Sequence, residues 1–169
     1  DHLIETSFKK SVCDLTSPEY KRKFLEFTGF NETQYKVLSD TTHYLVTGSC
    51  MAYIGGNAPL EAYEGADIDI CVTVLEEDFY AYIKRWLSLM GYSPEFLHKI
   101  NEGRYKFNNP HRPIDFYRQN RLSIWEHHVA PARMFFSRGK FIAAPSAVDA
   151  YKTGLLNDIR YVASTIYNP

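Results

Sequence analysis

The sequence predicts an α/β (α+β) fold, with a mixed sheet, flanking helices and a short helical lead-in. Two patterns lead to this prediction. Residues 66–74 alternate between polar and apolar side chains, which is typical of a strand with two different faces. After Leu75 the apolar side chains recur with a period of 3.6 residues until Gly91, which is typical of an amphipathic helix. A chain that switches between these two periods favours a sheet on which helices pack.

The lead-in is expected to occupy residues 1–41, as an N-terminal arm with short helices. Residues 42–169 are expected to form the main domain, and the two parts together a single compact unit. Residues 1–16 show no clear periodicity. No internal repeat or long linker divides the chain, so no boundary between independently folding domains is predicted.

Two helices are predicted in the lead-in from their start signals. Ser17 followed by Pro18 is typical of an N-cap and a first helical residue, and Gly29 ends the apolar stripe that follows. Asn31, with Gln34 three residues later, is typical of a capping box. The lead-in is therefore expected to be helical up to about residue 40.

The centre of the chain combines a strand, a turn and a pair of acidic residues. An apolar run at residues 44–46 leads into a turn that contains Gly48 and Ser49, and a short helix is expected next. On the following strand the side chains of Asp67 and Asp69 share one face, because successive side chains of a strand point to opposite faces. The other face of that strand is apolar.

Further elements are expected beyond the amphipathic helix. They are strands at residues 95–100, 104–107 and 114–117, a short helix at 122–128, a hairpin of 133–137 with 140–143, and helices that begin at 145 and at 157. Asp115 lies on one of these strands, opposite in direction to Ile114 and Phe116. The strand therefore repeats the earlier arrangement, with a carboxylate on one side and apolar residues on the other.

Composition excludes few functions. The net charge of −1 gives no global signal for binding to nucleic acid or to an acidic membrane, so any polyanion site must be a local basic patch. Three cysteines without CxxC spacing argue against a disulfide framework and a zinc cluster. No apolar run approaches the roughly 18 residues of a membrane span. These observations favour an intracellular, reducing compartment, cytoplasmic or nuclear, including a place within a larger particle.

The acidic residues suggest a metal site. Two carboxylates side by side on a strand repel each other unless a positive charge lies between them, and a divalent cation is the simplest candidate. Asp115 supplies a third carboxylate of the same type. The alternative that remains open is that Asp67 and Asp69 are solvated acids on an exposed sheet face.

The order of these features resembles the nucleotidyltransferase superfamily, the fold shared by DNA polymerase beta, poly(A) and CCA-adding polymerases and aminoglycoside nucleotidyltransferases. A strand that ends in Gly48-Ser49, a DxD pair on the next strand and a lone Asp115 after an intervening helix carry the resemblance. It covers roughly residues 44–118, with looser similarity in the segment PSAVDAYKTG.

The resemblance implies a metal-dependent enzyme that transfers a nucleotidyl group from an NTP to a hydroxyl acceptor. It implies that Asp67, Asp69 and Asp115 are catalytic and hold one or two Mg²⁺ (or Mn²⁺) ions. Gly48, Ser49 and Lys152 are the implied nucleotide-binding residues. The acceptor stays open between a nucleic-acid end, a protein and a small molecule.

Several alternatives stay open from the sequence. The seventeen residues 50–66 between the turn and the DxD pair exceed the usual family spacer, so the loop at 56–65 is either a lid or a sign that the turn no longer faces the acids. The fold could also serve as an inactive scaffold or interaction module within a larger, for example viral, assembly, or as a nucleotide sensor. Five cations of the later strands face either a triphosphate or polynucleotide or only solvent: Lys99, Arg104, Lys106, Arg112 and Arg118.

Overall fold

The computed structural model describes residues 18–119 and 134–143. In this part of the chain four α-helices and a seven-stranded mixed sheet form an α+β fold. The coarse prediction of a mixed sheet with flanking helices is therefore confirmed. The predicted arm at residues 1–16, the predicted helices at 122–128 and beyond 144, and Lys152 lie outside the described residues.

The helices are α1 (Pro18–Thr28), α2 (Glu32–Ser39), α3 (Ser49–Gly55) and α4 (Phe79–Met90). The strands are β1 (Tyr44–Thr47), β2 (Ile68–Val72), β3 (Leu97–Asn101), β4 (Arg104–Phe107), β5 (Ile114–Arg118), β6 (Met134–Ser137) and β7 (Lys140–Ala143). Short 3-10 turns lie at Leu60–Tyr63, Glu76–Asp78 and Pro94–Phe96. Within the described residues no helix is long and apolar enough to cross a membrane.

The strands follow one another across the sheet in the order β3-β4-β5-β2-β1-β6-β7. β2 and β5 are parallel, and every other neighbouring pair is antiparallel. The starts of β2 and β5 therefore lie at the same end of the sheet as the end of β1. This places the two acidic strands and the Gly-Ser turn side by side.

Local signals explain where the helices begin and end. α2 starts with the predicted capping box, in which the Gln34 N–H donates to Asn31 Oδ1 at 2.8 Å and the Asn31 N–H donates to Gln34 Oε1 at 3.0 Å. α4 ends at Gly91, whose φ of 80° is left-handed and is easily adopted only by glycine. α4 begins at Phe79 rather than directly after Leu75, because Glu76–Asp78 form a separate 3-10 turn.

One face of the sheet is packed by aromatic side chains from the helices. The ring of Phe24 on α1 lies 4.6 Å from that of Phe136 on β6, and the ring of Trp86 on α4 lies 5.3 Å from that of Phe116 on β5. Phe116 is the register partner of the fully buried Ile70, and Phe136 is linked to Ile70 through their common partner Val46, so all of these side chains lie on the same face of the sheet. One part of the core therefore lies between this face and the helices, and the acidic side chains of β2 and β5 point the opposite way, where Leu45, Cys71 and Phe135 are also fully buried.

The described sheet ends at β3 on one side. The side chains from His98 to Asn101 are exposed, and the pairing of β3 with β4 shifts its register between Lys99 and Asn101. Ile100 is about half exposed. β3 is thus an irregular strand with little contact to the core.

Candidate functional site

Two of the predicted acids lie directly beside each other. Asp69 on β2 and Asp115 on β5 are partners in the parallel register, so their side chains leave the same face of strands about 4.8 Å apart. Asp69 is 8% exposed and Asp115 is 5% exposed. Asp67 precedes β2 by one residue, and its side chain is 11% exposed. The alternative of solvated acids on an exposed sheet face is therefore wrong.

Asp67 falls outside the strand because β2 is shorter than the predicted strand at 66–74. The first residue of β2, Ile68, donates its N–H to Pro113 O at 2.8 Å. Its pairing with β5 begins at Ile114, so residues before Ile68 have no register partner there. Asp67 is consequently positioned by a loop end rather than by the sheet ladder.

The Gly-Ser turn contacts this pair of acids. Thr47, at the end of β1, is the register partner of Asp69. Gly48 follows with φ 67° and ψ −141°, and a Cβ at this position would overlap the carboxyl group of Asp69. Ser49 begins α3 and is half-buried. Only glycine fits here, because the backbone approaches the carboxylate too closely for any side chain.

The long spacer does not separate the turn from the acids, because its residues pack elsewhere. Tyr63 in the spacer is buried, with its ring 6.2 Å from Phe27 on α1 and 5.8 Å from Tyr53 on α3. Arg112 donates to the carbonyls of Tyr63 and Ala66 at 2.8 and 2.7 Å and stacks 4.0 Å from the Phe27 ring. The extra residues are thus anchored to α1 and α3.

Two cations of β4 already pair with two of the acids. Arg104 forms a bidentate ion pair with Asp115, in which Nε donates to Oδ1 at 3.2 Å and Nη2 donates to Oδ2 at 2.6 Å. Lys106 Nζ lies 3.2 Å from Asp67 Oδ2. Lys106 is also the register partner of Asp115 across the β4–β5 ladder. The protein therefore compensates Asp115 and Asp67 with its own side chains.

Asp69 is the acid without such compensation. Burial raises the pKa of its carboxyl group well above the ordinary value, and the neighbouring charges of Asp115 and Asp67 raise it further, whereas Arg104 and Lys106 lower it. Among residues 18–119 and 134–143, no side chain forms a hydrogen bond or ion pair with it. With all five groups charged, three acids against two bases leave a formal charge of −1 at this place.

Two polar residues near the acids were not singled out from the sequence. The hydroxyl groups of Thr47 and Tyr117 lie 2.7 Å apart, and each residue lies on the same face as Asp69 or Asp115. The signal that could have found them is strand register. Thr47 directly precedes Gly48, and Tyr117 lies two residues after Asp115.

The predicted cluster of five cations divides into three groups. Arg104 and Lys106 reach the acids. Lys99 pairs with the exposed Glu102 at 2.8 Å, and Arg112 binds main-chain carbonyls, so neither forms an ion pair with the acids. Arg118 lies at the other end of β5 and lines a cavity of about 550 Å³ that contains none of the three acids.

The acids suit a hard divalent cation in their chemistry, since they offer only carboxylate oxygens and one of them, Asp69, is buried without an ion-pair partner among the described residues. Within the described ranges, however, no group of three or more Asp, Glu, His or Cys side chains is arranged to hold a metal ion. For all three acids to hold a metal together, Asp67 and Asp115 would have to release Lys106 and Arg104.

Neither a protein-family model nor a curated protein nor a solved structure matches this chain.

Proposed function

We propose that this chain is a metal-dependent nucleotidyltransferase-type enzyme that transfers a nucleotidyl group from an NTP to a hydroxyl acceptor. One observation supports it above the others. Asp69 and Asp115 are neighbours on parallel strands, and the backbone of Gly48 lies against Asp69. Because residue 48 has no side chain, the main chain of the turn comes close to these buried carboxylates, so main-chain N–H groups lie near the place where a cation held by the acids would bring a phosphate group.

In this proposal Asp67, Asp69 and Asp115 hold Mg²⁺ or Mn²⁺. When bound, the cation supplies positive charge that offsets the triphosphate and increases the acidity of the acceptor hydroxyl. Asp115 also accepts the proton of that hydroxyl. Asp69 is buried beside two like charges, so an added cation stabilises its ionised form.

Gly48 and Ser49 bind the nucleotide in this proposal. The close approach of the Gly48 backbone places main-chain groups beside the acids, and the Ser49 hydroxyl donates to a phosphate oxygen. The role proposed for Lys152 rests on the resemblance alone, since this residue lies outside the described ranges.

Arg104 and Lys106 act as internal counter-ions in the metal-free protein. Their ion pairs with Asp115 and Asp67 lower the cost of holding buried negative charge. Once released, both side chains remain beside the acids, where they donate to phosphate oxygens. The same two residues therefore serve the resting form and the loaded form.

The test is release of pyrophosphate from each of the four NTPs with Mg²⁺ or Mn²⁺, measured separately with a nucleic-acid end, a protein and a small molecule as the hydroxyl acceptor. We expect release by the unmodified protein and a loss of at least about 100-fold in Asp69→Asn, which keeps the size of the side chain and removes its charge. Asp78→Asn is the matched control, because Asp78 is exposed and lies in the 3-10 turn before α4. An equal rate in Asp69→Asn and Asp78→Asn would contradict the proposal.

A second candidate function is an inactive scaffold or interaction module. The observation that favours it is the pairing of Arg104 with Asp115 and of Lys106 with Asp67, which satisfies two of the three acids without a metal. This candidate predicts no pyrophosphate release with any NTP and no heat of binding for Mg²⁺. Saturable NTP binding without release would instead indicate a nucleotide sensor.

A further inference from the structure

A cavity of about 550 Å³ lies at the end of the sheet opposite the acids. Its walls come from the residues just before β1, from those just after β2 and from the end of β5. Asp115 and Arg118 lie three residues apart on β5, which corresponds to about 10 Å along the strand. The cavity is therefore a separate place in the molecule, and its volume is within the range of small-molecule sites.

Arg118 gives this cavity an uncompensated positive charge. Among residues 18–119 and 134–143 it has no ion pair, its Nε is buried without a hydrogen-bond partner, and its Nη1 donates only to Val74 O at a long 3.4 Å. The other two half-buried arginines of the described structure differ. Arg104 holds a carboxylate and Arg112 donates to three carbonyls. A guanidinium group that is partly withdrawn from water without a partner is costly, and an anion removes that cost.

The remaining walls are mixed in character. Thr42, His43, Thr73 and Gln119 are polar, whereas Val74 and Leu75 contribute apolar surface. Leu75 is 64% exposed, the largest exposure among the large apolar side chains of the described residues. The acids that follow at 76–78 are exposed and do not line the cavity. A ligand that fits has one charged end and a small apolar body.

We propose that this cavity binds a small organic anion, whose carboxylate or phosphate group contacts Arg118 and whose apolar part contacts Val74 and Leu75. Arg118 is suited to this task because a guanidinium group donates to two oxygens of a carboxylate or phosphate at once. The site uses none of the three acids of the proposed active site. Its existence is independent of whether the chain transfers nucleotides.

The test uses isothermal titration calorimetry of the full chain with benzoate, phenyl phosphate, inorganic phosphate and benzyl alcohol. We expect saturable binding of the two aromatic anions. Inorganic phosphate lacks the apolar body and benzyl alcohol lacks the charge, so each should bind at least about tenfold more weakly. The tighter of benzoate and phenyl phosphate identifies the headgroup as carboxylate or phosphate.

Two kinds of variant locate the binding. Arg118→Gln should weaken the tighter anion at least about tenfold, whereas Lys99→Gln, which removes a positive charge from the exposed strand β3, should not. Leu75→Asp should weaken it more than Leu75→Asn, because only the aspartate repels the anion. Leu75 is exposed, so this pair tests the site even if Arg118→Gln does not fold.

Three results would overturn the inference. The first is no saturable binding of either aromatic anion to the unmodified chain. The second is unchanged affinity in a folded Arg118→Gln protein. The third is equal affinity of Leu75→Asp and Leu75→Asn for the anion.

Discussion

Replacing Asp69 by Asn should make the metal-free protein more stable at neutral pH. The carboxyl group of Asp69 is buried beside Asp115 and Asp67, and its pKa in the folded protein is raised well above the ordinary value. In the unfolded chain the pKa is about 3.9. Below that pH the group is protonated in both states, so the substitution changes little. As the pH rises toward the folded pKa, the unfolded chain loses its proton first, and the stability of the unmodified protein falls relative to the variant.

The size of this effect follows from the same difference in proton affinity. Each tenfold difference in the acid dissociation constant of Asp69 between the folded and the unfolded state corresponds to about 1.4 kcal/mol of unfolding free energy. Because burial and two like charges act together, we expect the variant to gain at least about 1 kcal/mol between pH 4 and pH 8. The partial compensation by Arg104 and Lys106 limits the gain.

Urea unfolding followed by circular dichroism at pH 4, 6 and 8 measures the difference in unfolding free energy between Asp69→Asn and the unmodified protein. Asp78→Asn is the control for the loss of one carboxylate at an exposed position. A gap between Asp69→Asn and the unmodified protein that does not change with pH would refute the electrostatic account of Asp69. If the proposed metal site exists, added Mg²⁺ should also stabilise the unmodified protein but not Asp69→Asn. The expected gain is about 2.7 kcal/mol of unfolding free energy at a free Mg²⁺ concentration 100 times the Kd. A pH-dependent gap without any effect of Mg²⁺ would instead favour the inactive scaffold.

Three further predictions concern the neighbours of Asp69. Arg104→Gln leaves the buried Asp115 without its ion-pair partner and should lower the unfolding free energy in urea by about 1–3 kcal/mol. Much of this loss should be absent when Asp115→Asn is present as well, and an equal loss in both backgrounds would argue against the pairing. Gly48→Ala should lower the unfolding free energy by at least about 2 kcal/mol, because residue 48 has a positive φ and a Cβ there overlaps Asp69. A second change, Asp69→Ala, should recover part of this loss, and an unchanged melting temperature of Gly48→Ala would contradict the close approach. Arg112→Gln removes the hydrogen bonds to the carbonyls of Tyr63 and Ala66, and it should lower the unfolding free energy by about 2–3 kcal/mol and speed proteolysis within residues 56–66. An unchanged cleavage rate would show that Arg112 does not anchor the spacer.

Much of the local structure follows from the sequence because its causes are local. The capping pair Asn31 and Gln34, the glycine at position 91 and the apolar periodicity of α4 each act within a few residues. The direction of Asp69, opposite to that of Ile68 and Ile70, likewise depends only on strand geometry, whereas Asp67 lies one residue before the strand. Elements of this kind were placed to within a few residues of their observed bounds.

The arrangement of the acids could not be read in the same way. That Asp69 lies beside Asp115 depends on the parallel pairing of β2 and β5, which are joined through α4, β3 and β4. That Arg104 and Lys106 reach the acids depends on the register of β4 against β5. Sequence alternation fixes the face of a strand but not its neighbour or its register.

The spacer shows how a sequence argument based on length can mislead. Its seventeen residues raised the possibility that Gly48 no longer faces the acids. In the structure Gly48 lies against Asp69, because β1 and β2 pair with Thr47 opposite Asp69. Arg112, 46 residues after Ala66 in the chain, holds the spacer by its carbonyls. Tertiary contacts of this kind have no local signature.

The irregular strand β3 bears on how this protein stays apart from its neighbours in concentrated solution. A regular, apolar edge strand would offer its free main-chain groups to another molecule and start aggregation. The register shift between Lys99 and Asn101 interrupts such a template, and the charged Lys99 opposes a second copy. With a net charge of only −1, long-range repulsion between copies is weak, so protection against aggregation at this edge depends on the shape and charge of β3 itself.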